Sequence, residues 1–499
     1  MFGDVAVDIV VSVFAMCDIG SVLATSQTCK RLHSIAFERS VWISLIQDLQ
    51  SRQLMDLTQT PSLTTLRTSQ LIGLVRRLVH GPLSWRDRTD EMDIISSQSF
   101  PSPALQNQII IPLPAEQSRP GFHIYNRNEV QLLPDGTHLL CSNSGILECW
   151  NVAIKKRIWR HACVVSPGQA DVVEFAATRA GPEVLRIVMG IRVPYLQTDM
   201  RLDCVEVVEV DLQTCISQIL VSSQMTSPIP DNALRGAIIH GDFAAVVSTC
   251  VEHPGIYLLN LSVVEKPRML HIACQETQVG LTDANLVLCS QEAGSRQFSL
   301  RVIPIASLEN FWGPASPSST PESLRACPSW IPERFPVISA RMSLGPLVQR
   351  VEALTVLASP IRSNEYRIWV HAYSASGTGL LRMFRLVQAS TTPGWTSFIH
   401  PGPVYENRNG TLLSLAKNIT YSGHALSNGS AYTTQLAIPL SLLELDVPRD
   451  REESEADWRR AAPLTVVGLQ SGGLFSRVSS YSGAVTYSTA KALYIKYYR

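Results

Sequence analysis

The spacing of apolar residues along this chain changes character near position 109. Over the first fifty residues the spacing is helical. Ala6, Ile9, Val10, Val13, Phe14 and Cys17 recur at three- and four-residue steps and predict a helix with those side chains on one face. Asp4 is placed to accept an orphan N–H of its first turn, and Asp18 to cap a second helix that turns Ile19, Val22 and Leu23 inward. Leu32, Ile35 and Ala36 predict a third helical face, and Trp42, Leu45, Ile46 and Leu49 a fourth. Thr58-Gln59-Thr60 reads as a loop ahead of the helix-breaking Pro61. A further helix is predicted from about Ser69 to His80, with Leu71, Ile72, Leu74, Val75, Leu78 and Val79 apolar and Arg76 and Arg77 polar. Gly81-Pro82 ends it, Gly by tolerating a left-handed cap and Pro by barring continuation. That helix either spaces the head from the rest of the chain or packs against the head.

From about Ile109 the pattern becomes one of alternating strands. Val130 to Val152 carries three strand candidates, with tight turns expected at Asp135-Gly136 and Asn143-Ser144-Gly145. Strand pairs recur further on. Phe243 to Thr249 precedes Ile256 to Leu261, Asn285 to Cys289 precedes Phe298 to Ile305, and Gly483 to Tyr487 precedes Ala492 to Tyr498. A recurrence of roughly 45 to 65 residues is close to one four-stranded blade with its loops. Six or seven blades of a β-propeller fit between Ile109 and Arg499, and a pair of β-sandwiches satisfies the same pattern. A closed ring needs its first and last strands to meet, so Ala492 to Tyr498 is expected to pair near Ile109 to Ile111 or Ile124. The fold class is therefore α+β and multidomain: a helical head over 1–50, a helical linker over 51–108 and a mainly-β body over 109–499.

The head resembles an F-box, whose usual run is Leu-Pro-x-Glu-Ile-Leu-x-x-Ile-Phe-x-x-Leu-Asp, then Val-Cys-Lys-x-Phe and a closing Trp. Val5, Ala6 and Asp8 stand at the Leu, Pro and Glu, Ile9-Val10 at Ile-Leu, Val13-Phe14 at Ile-Phe, and Cys17-Asp18 at Leu-Asp. Thr28-Cys29-Lys30-Arg31-Leu32 matches the second segment and Trp42 the closing Trp, while the Pro is missing. An ordinary N-terminal helical cap is the competing reading. Trp150-Asn151 is similar to the Trp-Asp that closes a WD repeat.

The F-box resemblance implies a substrate receptor of a Skp–cullin–F-box ubiquitin ligase. The head would dock a Skp-type adaptor, and through it a cullin, while the β body held a protein target. Val5, Ile9, Val10, Val13, Phe14, Leu32, Ile35 and Trp42 are the candidates for the head's core and adaptor face, and sequence does not divide those two roles.

Composition narrows the function classes. Hydrophobic residues make up 45% and charged residues 17%, which suits a core-rich globular chain rather than a disordered one. The 42 basic and 42 acidic residues cancel, so there is no basic field of the kind nucleic-acid binding uses. The 11 cysteines are scattered with no Cys-x-x-Cys, which argues against a zinc site and suits a reducing compartment. No basic residue precedes Lys30, and Asp4 and Asp8 sit where a positive n-region should be, so the apolar run from Ile9 to Cys17 is not expected to be a signal peptide, and no stretch approaches the length expected of a membrane span. A cytoplasmic or nuclear location is expected.

No phosphate-binding Gly-rich loop, nucleophile elbow or His-Glu-x-x-His occurs, so neither catalysis nor a cofactor is expected, although a Ser-His-Asp or paired-carboxylate site assembled from distant strands stays open. Two runs look like insertions: the Pro/Ser-rich 313–336 and the charged 448–460. The alternatives to a ligase receptor are an F-box-bearing scaffold without a degradation target, and a propeller enzyme such as a glycosidase.

Overall fold

The computed structural model describes residues 5–55, 62–85, 104–114, 129–143, 145–163, 170–194, 200–228, 234–275, 277–292, 297–315, 323–331, 339–346, 348–391, 394–407, 419–427, 434–438, 462–463, 467–470, 476–489 and 491–498. Asp4, the Thr58–Thr60 loop, Ile124 and the charged 448–460 run lie outside them.

Five α-helices open the chain: α1 (Val7–Ala15), α2 (Ile19–Ser26), α3 (Lys30–Ala36), α4 (Arg39–Ser51) and α5 (Thr68–His80). Asp18 caps α2 as expected, its carboxylate accepting the Ser21 N–H at 2.6 Å. The N-cap of α1 is Ala6, with no side-chain hydrogen bond. Val10, Phe14, Ile19, Val22, Leu32, Ile35, Trp42, Leu45, Ile46 and Leu49 form one core, and Leu71, Val75 and Leu78 of α5 belong to it. The helix after the first fifty residues thus packs against the head. Four short helices alone would bury little surface, and α5 enlarges their shared core.

The body consists, among the described residues, of seven sheets. Strand β1 (Leu105–Pro112) precedes them. The first sheet is β2 (Val130–Leu132), β3 (His138–Asn143), β4 (Ile146–Asn151) and β5 (Lys156–Ala162). The second is β6 (Asp171–Arg179), β7 (Val184–Pro194), β8 (Met200–Asp211) and β9 (Ser217–Pro228). The third is β10 (Leu234–His240), β11 (Phe243–Ser248), β12 (Gly255–Asn260) and β13 (Arg268–Ala273). The fourth holds β14 (Gln278–Leu281), β15 (Asn285–Gln291) and β16 (Phe298–Pro304). Two short strands then return to β13: β17 (Gly313–Pro314) and β18 (Ser329–Trp330). Part of the Pro/Ser-rich run is therefore strand, against the irregular structure its composition suggests.

β19 (Ala340–Ser343) completes the fourth sheet. The fifth is β20 (Val348–Ala358), β21 (Glu365–Ser374), β22 (Gly379–Thr391) and β23 (Gly394–Asn407). The sixth holds β24 (Ala425–Ser427), β25 (Thr434–Ile438) and, after β26 (Ala462–Pro463) has joined β23, β27 (Val467–Gln470). The seventh is β28 (Ser476–Val478), β29 (Val485–Ser488) and β30 (Ala492–Tyr498), and its outer strand is β1. Ile109, Ile110 and Ile111 lie opposite Ile495, Tyr494 and Leu493, so the last strand meets the first as closure requires.

The first five sheets pack each against the next with an apolar core between them, and the seventh packs against the first in the same way. On β8, Cys204, Val208 and Val210 face the first sheet while Val205 and Val207 face the third. A strand buried on both faces has no polar side, so β12 is buried throughout rather than alternating. Arg367 on β21 ties the fifth sheet to the segment that precedes β24. Its guanidinium lies 3.9 Å from the centroid of the Tyr421 ring and donates to the Tyr421 carbonyl at 2.6 Å.

Burial on both faces also traps titratable groups. His371 on β21 is 1% exposed, and neither ring nitrogen has a hydrogen-bond partner among the described residues. Burial pushes its pKa down to about 4. Above its unfolded value near 6.5 the ring is neutral in both states and contributes nothing to pH dependence. As pH falls from there to about 4, only the unfolded chain takes the proton, so stability is lost across that window. The expected loss is on the order of 3 kcal/mol, and His371→Phe should remove it. Urea unfolding at pH 7 and pH 4.5 checks this: the variant should lose less stability between the two than the parent.

Candidate protein-docking face on the helical head

Helix α1 has apolar residues on more than half of its circumference, so it cannot bury all of them against one neighbour. Val10 and Phe14 take the inner side, 6% and 4% exposed. Ile9, Val13 and Met16 are left outside, at 57%, 51% and 90% exposure. They follow one another at four- and three-residue steps and so line one stripe of the helix. The single face expected from Ala6, Ile9, Val10, Val13, Phe14 and Cys17 is thus split, with only part of it against the core.

The eight residues singled out from sequence divide accordingly. Leu32, Ile35 and Trp42 join Val10 and Phe14 in the core, Val5 packs half-buried at its edge, and Ile9 and Val13 look outward. Trp42 is 2% exposed, donates its indole N–H to the Ala36 carbonyl at 3.0 Å, and stacks on Phe37. Arg31 donates to the Val5 carbonyl and ties the entry of α1 to α3. Met16 was missed because the apolar run was assigned inward as far as Cys17. Its own step from Val13 carried the signal.

The stripe is poor in charge. No basic residue lies on α1, and the Ser12 hydroxyl is turned back onto the Asp8 carbonyl at 2.8 Å. An exposed apolar stripe of this kind suits contact with another apolar surface.

The head is held firmly against the body. Gly20 N–H donates to the Ile361 carbonyl at 2.9 Å, and Arg52 Nη2 to the Ser359 carbonyl at 2.7 Å, both in the β20–β21 connection. The Gln53 side-chain amide makes two bonds to the Arg179 backbone, at 3.0 and 3.2 Å, where β6 ends. Arg77 on α5 donates to the Tyr498 carbonyl at 2.6 Å. Trp85, fully buried, packs on Val478, Val485, Tyr487 and Tyr498 of the seventh sheet. Gly81 has φ +72°, and a Cβ there would stand 2.6 Å from His424 and Ser422, so glycine is required at this close approach.

Other chemistry is sparse. Among the described residues no group of three or more His, Cys, Asp or Glu is arranged to hold a metal ion. Cys163, His161 and Glu206 meet between the first and second sheets, but Cys163 is 1% exposed and Glu206 fully buried, which shuts them from solvent. No described helix is long and apolar enough to cross a membrane.

No protein-family model and no curated protein matches the sequence. Among solved structures, the chain is similar to the WD40 domain of Toxoplasma gondii coronin, at 7% identity over 81% of this chain and 89% of that one, with a TM-score of 0.40. It is similar to the WD40 domain of fission yeast SCAP, at 7% identity over 74% and 84%, TM-score 0.24. A glucose dehydrogenase is a third such structure, at 12% identity over 79% and 99%, TM-score 0.31. These neighbours are propeller-like folds, at scores too low to add to what the strand order itself gives.

Proposed function

We propose that this chain is a non-catalytic substrate receptor of a Skp–cullin–F-box type ubiquitin ligase. In this reading the seven sheets are the blades of a β-propeller, closed by the pairing of β1 with β30. The head docks a Skp-type adaptor through the outer stripe of α1, and the body holds a protein target. The receptor's contribution is proximity, which raises the effective concentration of target lysines near a ubiquitin-loaded enzyme.

The observation that carries this reading is the division of α1. Val10 and Phe14 hold the helix to its core, while Ile9, Val13 and Met16 stay in solvent although the head is already packed against the body. An apolar stripe that, among the described residues, neither core nor body covers suits a partner. Its place within the run that resembles an F-box supports a Skp-type adaptor as that partner.

The test is co-elution of the full chain with a Skp-type adaptor. Ile9→Asp combined with Val13→Asp should lower adaptor affinity at least a hundredfold. Because both side chains are exposed, the melting temperature should move by less than a few degrees. Undiminished binding by the double variant would place the adaptor elsewhere.

A further inference from the structure

Of the 42 basic residues in this chain, seven are lysine and 35 are arginine. Lysine is ordinarily among the commonest residues of soluble proteins, so the two cations are far out of balance. The lysines are Lys30, Lys155, Lys156, Lys266, Lys417, Lys491 and Lys496. None occurs in 31–154, 157–265 or 267–416. Among the described residues Lys30, Lys155, Lys156, Lys266 and Lys491 are exposed. Lys496 is half-buried, with Nζ 5.3 Å from the centroid of the Tyr487 ring.

Packing does not account for the bias. Arg341, Arg350 and Arg362 are 50%, 61% and 55% exposed, in ion pairs with Glu292, Glu352 and Glu365. Pairs this exposed contribute little to stability, so a lysine would serve as well there. What separates the two side chains at such positions is nucleophilicity. A lysine amine can lose its proton and attack a carbonyl carbon, whereas a guanidinium stays protonated in proteins.

We infer that this chain is a poor ubiquitin acceptor within its own ligase complex, because its surface carries arginine where lysine would be modified. The inference rests on the receptor reading above. In the transfer, a lysine nitrogen attacks the thioester carbonyl that joins ubiquitin to a cysteine of the conjugating enzyme. The C–N bond forms and the C–S bond breaks. The cysteine leaves as thiolate, and the proton lost by the nitrogen passes to solvent. A receptor stays beside that thioester for the life of the complex, so each of its lysines competes with the target's at high effective concentration. A surface with few lysines leaves the transfer to the target.

Reconstitution of the full chain with a Skp-type adaptor, a cullin scaffold and a ubiquitin-charged conjugating enzyme tests this. Assembly is read first, by co-elution, and ubiquitin on the chain second, by intact mass. A variant carrying Arg160→Lys, Arg235→Lys, Arg341→Lys and Arg350→Lys, all at exposed positions, adds acceptors without changing charge. The parent should assemble and stay largely unmodified. The variant should assemble equally well and take up ubiquitin at least threefold faster. Assembly followed by equal uptake on parent and variant, whether fast or absent, would overturn the proposal and leave the receptor reading standing. Failure of the parent to assemble would overturn the receptor reading, and the proposal with it.

Discussion

Removal of residues 492–498 is expected to leave no cooperatively folded body. These residues are β30, which supplies both the partner of β1 and the partner of β29. Leu493 and Ile495 are fully buried and Tyr497 and Tyr498 nearly so. At roughly 1.5–3 kcal/mol for each large apolar side chain buried, the loss is on the order of 10 kcal/mol before any hydrogen bond is counted. That is comparable with the whole stability of a typical domain, about 5–15 kcal/mol. The effect should reach the head as well, because Arg77 loses the Tyr498 carbonyl and Trp85 loses the Tyr498 ring. Thermal melting followed by circular dichroism checks this. The shortened chain should show no sharp transition, and a cooperative melt within a few degrees of the full chain would contradict the closure.

Trp42→Ala should cost about 3–5 kcal/mol, the usual range for truncating a buried aromatic. Trp42 sits among Leu32, Ile35 and Leu45 in the core that all five helices share, and its removal orphans the Ala36 carbonyl besides opening a cavity. The cost should fall on the head: amides of α1 to α4 should lose protection while those of β7 and β8, whose cores lie between other sheets, keep theirs. Urea unfolding with exchange read-out separates the two. A change below about 1 kcal/mol would mean that the pocket collapses around the missing ring.

Much of the head was legible because a helix that packs on one side advertises its period. Trp42, Leu45, Ile46 and Leu49 stand where that period puts them. α1 misled for a physical reason: six apolar residues predict one buried face only if nothing else needs apolar surface. Outer and inner stripes of a helix that is apolar nearly all round look alike in sequence, and only the positions of α3 and α4 separate them. Arg52 and Gln53, which clamp the head to the body, gave no signal because their partners are backbone groups distant in sequence.

In the body, the pairing of the last strand with the first was legible from the apolar run of 492–498, but the boundaries between sheets were blurred. Strands such as β11 and β12, buried on both faces, lose the alternation by which strands are counted. A better signal was present in the turns. Asn151 accepts the N–H groups of Ala153 and Ile154, Asp211 those of Gln213 and Thr214, and Asn260 that of Ser262. Each closes the third strand of its sheet, so an Asx residue after an apolar run marks the same place in three successive sheets. Trp150-Asn151 was the one instance noticed from sequence, because there the apolar residue is a Trp.

Hydrogen exchange of the full chain with and without a saturating Skp-type adaptor tests the receptor reading most directly. The account predicts added protection concentrated over residues 7–16, where Ile9, Val13 and Met16 are exposed, with the amides of the seven sheets unchanged. No binding, or protection that falls on the body and leaves α1 as it was, would contradict it.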